Sequence, residues 1–230
     1  METTAAIVVA AGAGTRMGAG TPKALMPLAG RPLVSWAVEA VARAAAVGAV
    51  VVAGPPGRLD ELAAALGRAA GEVALVPGGT SRAASVAEAL RAVPEGAARV
   101  VVHDAARPLA APGLVAAVLE ALEGVEGAIA ASPVPDTLKR AGPGMIVDGT
   151  VDRSELWRAE TPQAFWTEAL RAAVAAARAA GRLDAATDCA SLVEAAGGRV
   201  RLVPSGDPNP KVTTPADVPV VEALIAASRS

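Results

Sequence analysis

The sequence has little from which to build the commoner metal, redox or base-stacking sites. It holds one cysteine, Cys189, and one histidine, His103. A single cysteine excludes an intrachain disulfide and a cysteine-based zinc cluster, and a single histidine excludes a His-rich metal site. Tyrosine is absent and aromatic residues make up 2%, too few for a platform that stacks single-stranded nucleic acid. The formal net charge is −2, so no broad field attracts nucleic acid, and an anionic ligand must be met by a few placed cations. Hydrophobic residues reach 53%, yet no run approaches the roughly 18 residues of a membrane span. The opening METTAAIVVAAGAG has no basic segment ahead of its apolar stretch and reads as a strand entering a loop rather than as a secretory signal. The expectation is a cytoplasmic protein with neither a nucleic acid nor a membrane as partner.

What is present is a regular alternation. Short apolar runs near Ala5–Ala10, Ala49–Ala53, Val73–Val76, Arg99–His103, Gly127–Ala131 and Val200–Val203 read as strands. Helix-period, Ala-rich stretches lie between them, near Pro32–Ala46, Leu59–Ala70, Ser81–Ala92, Pro112–Leu122, Trp166–Ala180 and Cys189–Ala196. Continuous apolar strands alternating with helices indicate an α/β fold whose mostly parallel sheet is covered on both faces, a Rossmann-like three-layer αβα sandwich. The run Thr213-Thr214-Pro215 reads as a threonine cap with proline in the first turn of a last helix. At 230 residues a single domain over 1–230 is expected. The segment 133–162 breaks the alternation with turn signals around short runs such as Met145-Ile146-Val147. It reads as a projecting β-arm, whose open edges call for a cover such as a second subunit.

The loop after the first strand carries Gly12-x-Gly14 and then two cations, Arg16 and Lys23. A dinucleotide fingerprint needs a third glycine at position 17, which is Met17, and an acidic residue at the end of the second strand, which closes Val52-Ala53-Gly54. A Walker loop fails because no Gly-Lys-Ser/Thr follows. What remains is a phosphate cradle: glycines free backbone amides to face phosphate oxygens, Arg16 offers a planar fork and Lys23 a compact charge. Farther on, Asp104 ends the fourth expected strand in His103-Asp104-Ala105-Ala106-Arg107-Pro108, where a carboxylate beside bound phosphates suits Mg²⁺. Alternation points His103 the other way, into a packing or supporting role. Pro77-Gly78-Gly79-Thr80-Ser81 opens a helix and by itself reads as capping chemistry.

Ala10-Ala11-Gly12-x-Gly14-x-Arg16-Met17 with Pro22-Lys23 resembles the signature loop of the nucleotide-sugar-type nucleotidyltransferases. HDAARP, the β-arm runs Pro135-Asp136-Thr137 and Thr150-Val151-Asp152-Arg153, Thr161-Pro162-Gln163, Thr187-Asp188 and Asn209-Pro210-Lys211 narrow the likeness. Together they resemble the 2-C-methyl-D-erythritol 4-phosphate cytidylyltransferase family over nearly the whole chain. The resemblance implies Arg16, Lys23 and Lys211 as catalytic cations. It implies Ala10, Ala11, Gly12, Ala13, Gly14, Gly78, Gly79 and Ser85 as the nucleotide pocket, and Asp104 as a metal ligand for Mg²⁺ or another divalent cation. Arg107, Thr137, Arg153, Thr161 and Thr187 would contact the polyol phosphate, with Arg153 reaching across a homodimer formed through the arm. CTP would be the nucleotide. Thr80, Cys189 and Pro210 depart from the family pattern. A cytidylyltransferase for another polyol phosphate, such as ribitol 5-phosphate, stays open as the alternative. A nicotinamide oxidoreductase or a non-catalytic nucleotide-binding protein fits the loop less well.

Overall fold

The computed structural model describes residues 3–12, 14 and 21–227, except the side chain of Ala70. Ala13 and Arg16 therefore lie outside the described residues. In chain order the strands are β1 (Thr3–Val9), the two-residue β2 (Pro27–Leu28) and β3 (Arg31–Pro32), β4 (Val47–Gly54), β5 (Val73–Pro77) and β6 (Ala97–Asp104). They continue with β7 (Gly127–Pro133), β8 (Leu138–Ala141), β9 (Val147–Val151), β10 (Trp157–Trp166) and β11 (Val200–Pro204). The helices are α1 (Leu33–Ala42), α2 (Leu59–Leu66), α3 (Arg82–Arg91), α4 (Pro112–Glu120), α5 (Thr167–Ala179), α6 (Cys189–Ala195) and α7 (Asp217–Ala227).

Seven strands form one sheet in the order β11-β7-β10-β6-β1-β4-β5. Its pairs are parallel except those of β10, which is antiparallel to both β6 and β7. Both faces are apolar because successive strand residues point to opposite sides. Ala5 and Ile7 pack with Val86, Leu90, Leu170 and Leu192 of α3, α5 and α6. Ala6 and Val8 pack with Val34, Leu62 and Val115 of α1, α2 and α4. This is the expected three-layer arrangement. From β1 the chain steps outward to β4 and β5, then returns to β6 on the other side of β1. Such a reversal opens a crevice at the carboxyl ends of β1 and β6, where open α/β sheets bind ligands. A smaller apolar cluster joins Leu28 and Leu33 to Val212 and to Val221 and Ile225 of α7. It seats the segment that carries Lys211 beside the end of the first loop.

Two elements differ from the sequence reading. The segment 133–162 is divided: β8 and β9 pair as a separate hairpin, while β10 enters the main sheet between β6 and β7. Glu160, Thr161 and Gln163 conceal that strand, since they stand where a central strand normally shows apolar residues. All three are buried, and each is satisfied by a neighbouring segment, which makes burial affordable. The threonine cap of α7 is also reversed. Asp217 Oδ2 accepts from the backbone amides of Thr213 and Thr214, both at 2.7 Å, and the helix starts at the aspartate.

Candidate active site

A pocket of about 510 Å³ opens at the β1/β6 crevice, bordered by Ala10, Gly14, Lys23, Arg82, Asp104 and Lys211 among others. Its floor is held by strand-end hydrogen bonds: Ala10 N–H to the Ala53 carbonyl at 2.8 Å and Ala105 N–H to the Val9 carbonyl at 3.0 Å. Gly14 has φ +66°, and a Cβ there would stand 2.8 Å from the Lys23 Cβ, so glycine is required for the loop to pass this lysine. Lys23 begins a short 3-10 turn and its Nζ donates to the Val212 carbonyl at 2.9 Å. Of the expected cradle, Ala10, Ala11, Gly12, Gly14 and Lys23 all border this pocket.

The second wall is the turn from β5 into α3. Ser81 caps α3, its hydroxyl accepting from the Ala84 amide at 3.0 Å. The Ser85 hydroxyl accepts from the Gly79 amide at 3.1 Å and donates to the Ser81 carbonyl at 2.8 Å. Ser85 thus shapes the glycine turn. A Cβ on Gly78 would lie 2.2 Å from that of Ala11, so the two loops meet across a missing side chain.

Asp104 is the electrostatic centre. Its Oδ1 accepts from Arg82 Nε at 2.9 Å and its Oδ2 from Lys211 Nζ at 2.6 Å. Burial alone would raise this carboxyl, but Arg82 and Lys211 outweigh it and hold the group well below the usual carboxylate range. The sequence alone does not assign Arg82 a role. It is the first residue of α3, and a cation at a helix N-terminus opposes the macrodipole, which is the signal that could have found it. Burial disfavours its charge, Asp104 more than restores it, and the guanidinium is raised above its ordinary value. Arg82 Nη1 also lies 3.5 Å from Cys189 Sγ. Burial pushes that thiol up, as expected of a packing residue rather than a nucleophile. Among the described residues no group of three or more His, Cys, Asp or Glu is arranged to hold a metal ion.

Behind Asp104 lies a supporting layer. His103 is fully buried, with Nε2 2.9 Å from the Arg107 carbonyl and Nδ1 3.0 Å from the Thr161 hydroxyl. A carbonyl can only accept, so Nε2 carries the proton and Nδ1 accepts from Thr161, whose oxygen accepts the Asp104 amide at 3.0 Å. Burial lowers the imidazole to about 4, against its hydrogen bond to Arg107, which favours the charged form. The free side chain titrates near 6.5, so on acidification the unfolded chain takes up the proton first. Stability from this group is full above pH 6.5 and is lost as pH falls toward 4. Wild-type protein is expected to lose about 2 kcal/mol of unfolding free energy between pH 7 and pH 5. His103→Gln should lose little over the same interval, as followed by denaturant titration.

The remaining expected substrate residues are dispersed. Arg107 sits beside the pocket, its Nη1 donating to the Asn209 carbonyl. Thr161 is engaged as described. Thr137 is exposed at the base of the hairpin, and Arg153 Nη1 donates to the Val134 carbonyl there at 2.6 Å. Thr187 is exposed on a groove between α5 and α6. Within one chain, none of these last three borders the Asp104 pocket. No helix among the described residues is long and apolar enough to cross a membrane.

Comparison with known proteins agrees with this geometry. The family model IspD: 2-C-methyl-D-erythritol 4-phosphate cytidylyltransferase matches residues 4–227. The Cereibacter sphaeroides protein of that name is 46% identical over 225 residues, covering 97% of each chain. The Prochlorococcus marinus protein is 43% identical over 220 residues, covering 96% of this chain and 97% of its own. The crystal structure of the Thermus thermophilus 2-C-methyl-D-erythritol 4-phosphate cytidylyltransferase superposes with a TM-score of 0.80 at 37% identity, over 98% of this chain and all of that one. With a family match spanning both loops, Asp104 and the late lysine, the chain belongs to the 2-C-methyl-D-erythritol 4-phosphate cytidylyltransferase family.

Proposed function

We propose that the β1/β6 pocket binds CTP and transfers its CMP moiety to 2-C-methyl-D-erythritol 4-phosphate. The products are 4-diphosphocytidyl-2-C-methyl-D-erythritol and pyrophosphate. The carrying observation is that Lys23 and the Arg82–Asp104–Lys211 cluster line one pocket at the sheet's switch point, in a chain of this family. The acceptor's phosphate oxygen attacks the α-phosphorus of CTP, the bond from that phosphorus to the bridging oxygen breaks, and pyrophosphate leaves. A phosphate monoester is largely dianionic near neutral pH, so the nucleophile needs no proton removed. That agrees with a buried, neutral His103 that faces away from the pocket. The barrier lies in bringing two anions together and stabilising charge at phosphorus, which is work for placed cations.

In this reading Lys23, with Arg16 as the family resemblance assigns it, serves the triphosphate, and Lys211 acts where the acceptor phosphate meets the α-phosphorus. Ala10, Ala11, Gly12, Ala13 and Gly14 cradle the triphosphate, and Gly78, Gly79 and Ser85 shape the base pocket. The donor set suits Mg²⁺: one carboxylate, Asp104, beside room for phosphate oxygens, the pattern this ion takes with nucleotides. When bound, Mg²⁺ would neutralise charge on the triphosphate. Arg107 and Thr161 are assigned to the polyol phosphate side; Thr187, exposed on the α5–α6 groove, keeps that assignment from the family resemblance alone.

The hairpin supports a homodimer. Met145 and Ile146 at its tip are 84% and 72% exposed, and an isolated two-stranded hairpin is marginal in water. A second copy covering the tip would bring Thr137 and Arg153 to its partner's pocket. Mixing inactive Asp104→Ala and Arg153→Ala proteins should then regenerate activity through hybrid dimers, and no recovery on mixing would refute the shared site. The single domain over 1–230 is part of the same proposal. The function itself is tested by pyrophosphate release with CTP or ATP against methylerythritol phosphate or ribitol 5-phosphate. Release confined to CTP with methylerythritol phosphate is expected. Release confined to ribitol 5-phosphate would keep the chemistry and change the substrate.

A further inference from the structure

Next to the pocket is a polar cluster that the transfer chemistry leaves unused. Its centre is Glu160 of β10, 6% exposed. A carboxylate taken out of water is costly unless its oxygens are filled, and here the donors come from separate parts of the chain. Oε1 accepts from the Ser132 hydroxyl of β7 at 2.6 Å. Oε2 accepts from the Ser205 hydroxyl at 2.9 Å and from Asn209 Nδ2 at 3.1 Å. Arg107 Nη1 stands 3.8 Å from the same oxygen while donating to the Asn209 carbonyl. Asn209 Nδ2 is shared with the Thr161 carbonyl at 2.8 Å.

These contacts bear on Lys211, which follows Asn209 by two residues. After the lysine, the Val212 amide donates to the Ala106 carbonyl at 2.8 Å, and the Val212 carbonyl accepts from Lys23. The late loop is therefore anchored on both sides of Lys211, by Val212 on the pocket side and by Ser205 and Asn209 on the Glu160 side. The same carboxylate backs Arg107. Without it, two serine hydroxyls, one asparagine amide and a largely buried guanidinium lose their shared carboxylate, and the loop loses one of its anchors.

We propose that Glu160 is a positioning residue: it touches no substrate, and it fixes the Lys211 loop and the Arg107 guanidinium on the polyol phosphate side of the reaction. This rests on the function proposed above. The test is steady-state kinetics of Glu160→Ala and Glu160→Gln beside wild type, with CTP affinity measured by calorimetry without acceptor and folding checked by thermal unfolding. Misplacement of positioning groups costs large factors in rate, so Glu160→Ala should lower kcat/KM for methylerythritol phosphate by about tenfold or more. The Kd for CTP, held mainly by the first loop, should move by less than about threefold. A glutamine oxygen can accept from both Ser205 and Asn209, so Glu160→Gln should recover most of the loss. If Glu160→Ala fails to fold, Ser205→Ala and Asn209→Ala take its place with the same expected split between acceptor and CTP. Equal losses for CTP and acceptor, no rescue by glutamine, or no loss at all overturns the inference. Absence of turnover by wild type sinks both readings, whereas normal wild-type turnover with an unaffected variant sinks only this one.

Discussion

Asp104→Ala is expected to abolish pyrophosphate release and to lower the unfolding free energy by about 3–5 kcal/mol, read by denaturant titration at neutral pH. The two losses have one origin. Asp104 is 6% exposed and lies between Arg82 and Lys211. A buried ion pair is weak support for a fold as a whole, because desolvation offsets attraction, but deleting one partner leaves a charge with no counterpart. Arg82 has no easy recourse, since its guanidinium is largely buried and cannot lose its proton. Because the folded carboxyl titrates well below its ordinary value, its stabilisation is complete above the unfolded carboxyl's range near pH 4 and is lost as pH falls below it. Neutral pH therefore displays the full effect. Asp104→Asn, which keeps the shape and removes the charge, should follow Ala in activity and lie between Ala and wild type in stability.

Lys23→Ala is expected to show the opposite profile. Loss of one preorganised donor at a charge-building transition state costs about 10²–10³ in kcat. The fold should give up only about 1 kcal/mol, the usual net value of a hydrogen bond such as that from Nζ to the Val212 carbonyl. Lys23 is partly exposed at a loop end, so its charge never depended on a single buried partner. A variant that unfolds readily would instead mean that Lys23 mainly fastens the late loop.

The contrast follows how the site is written in the chain. The first loop is local: Gly12, Gly14 and Lys23 follow one strand within a few residues, so spacing exposes them. Asp104 ends an apolar run and is read as easily. β10 was hidden because burial of Glu160, Thr161 and Gln163 depends on partners 25 to 58 residues away in sequence, such as His103 and Asp188. Arg82 was hidden for the same reason, since its partner Asp104 is 22 residues distant. Apolar periodicity reports the core, whereas paired buried charges obey no short-range pattern. The reversed cap at Asp217 shows the limit at smaller scale: Thr-Thr-Pro and a nearby aspartate can each close the turn, and only the backbone geometry decides between them.

The most direct test of the central claim is ³¹P NMR of a reaction run with methylerythritol phosphate carrying ¹⁸O in its phosphate, CTP and Mg²⁺. Attack by the acceptor phosphate on the α-phosphorus of CTP predicts that all label stays in the cytidine diphosphate product, including its bridging oxygen, and that pyrophosphate is unlabelled. Labelled pyrophosphate, or consumption of CTP to CMP with the acceptor returned unchanged, would contradict it.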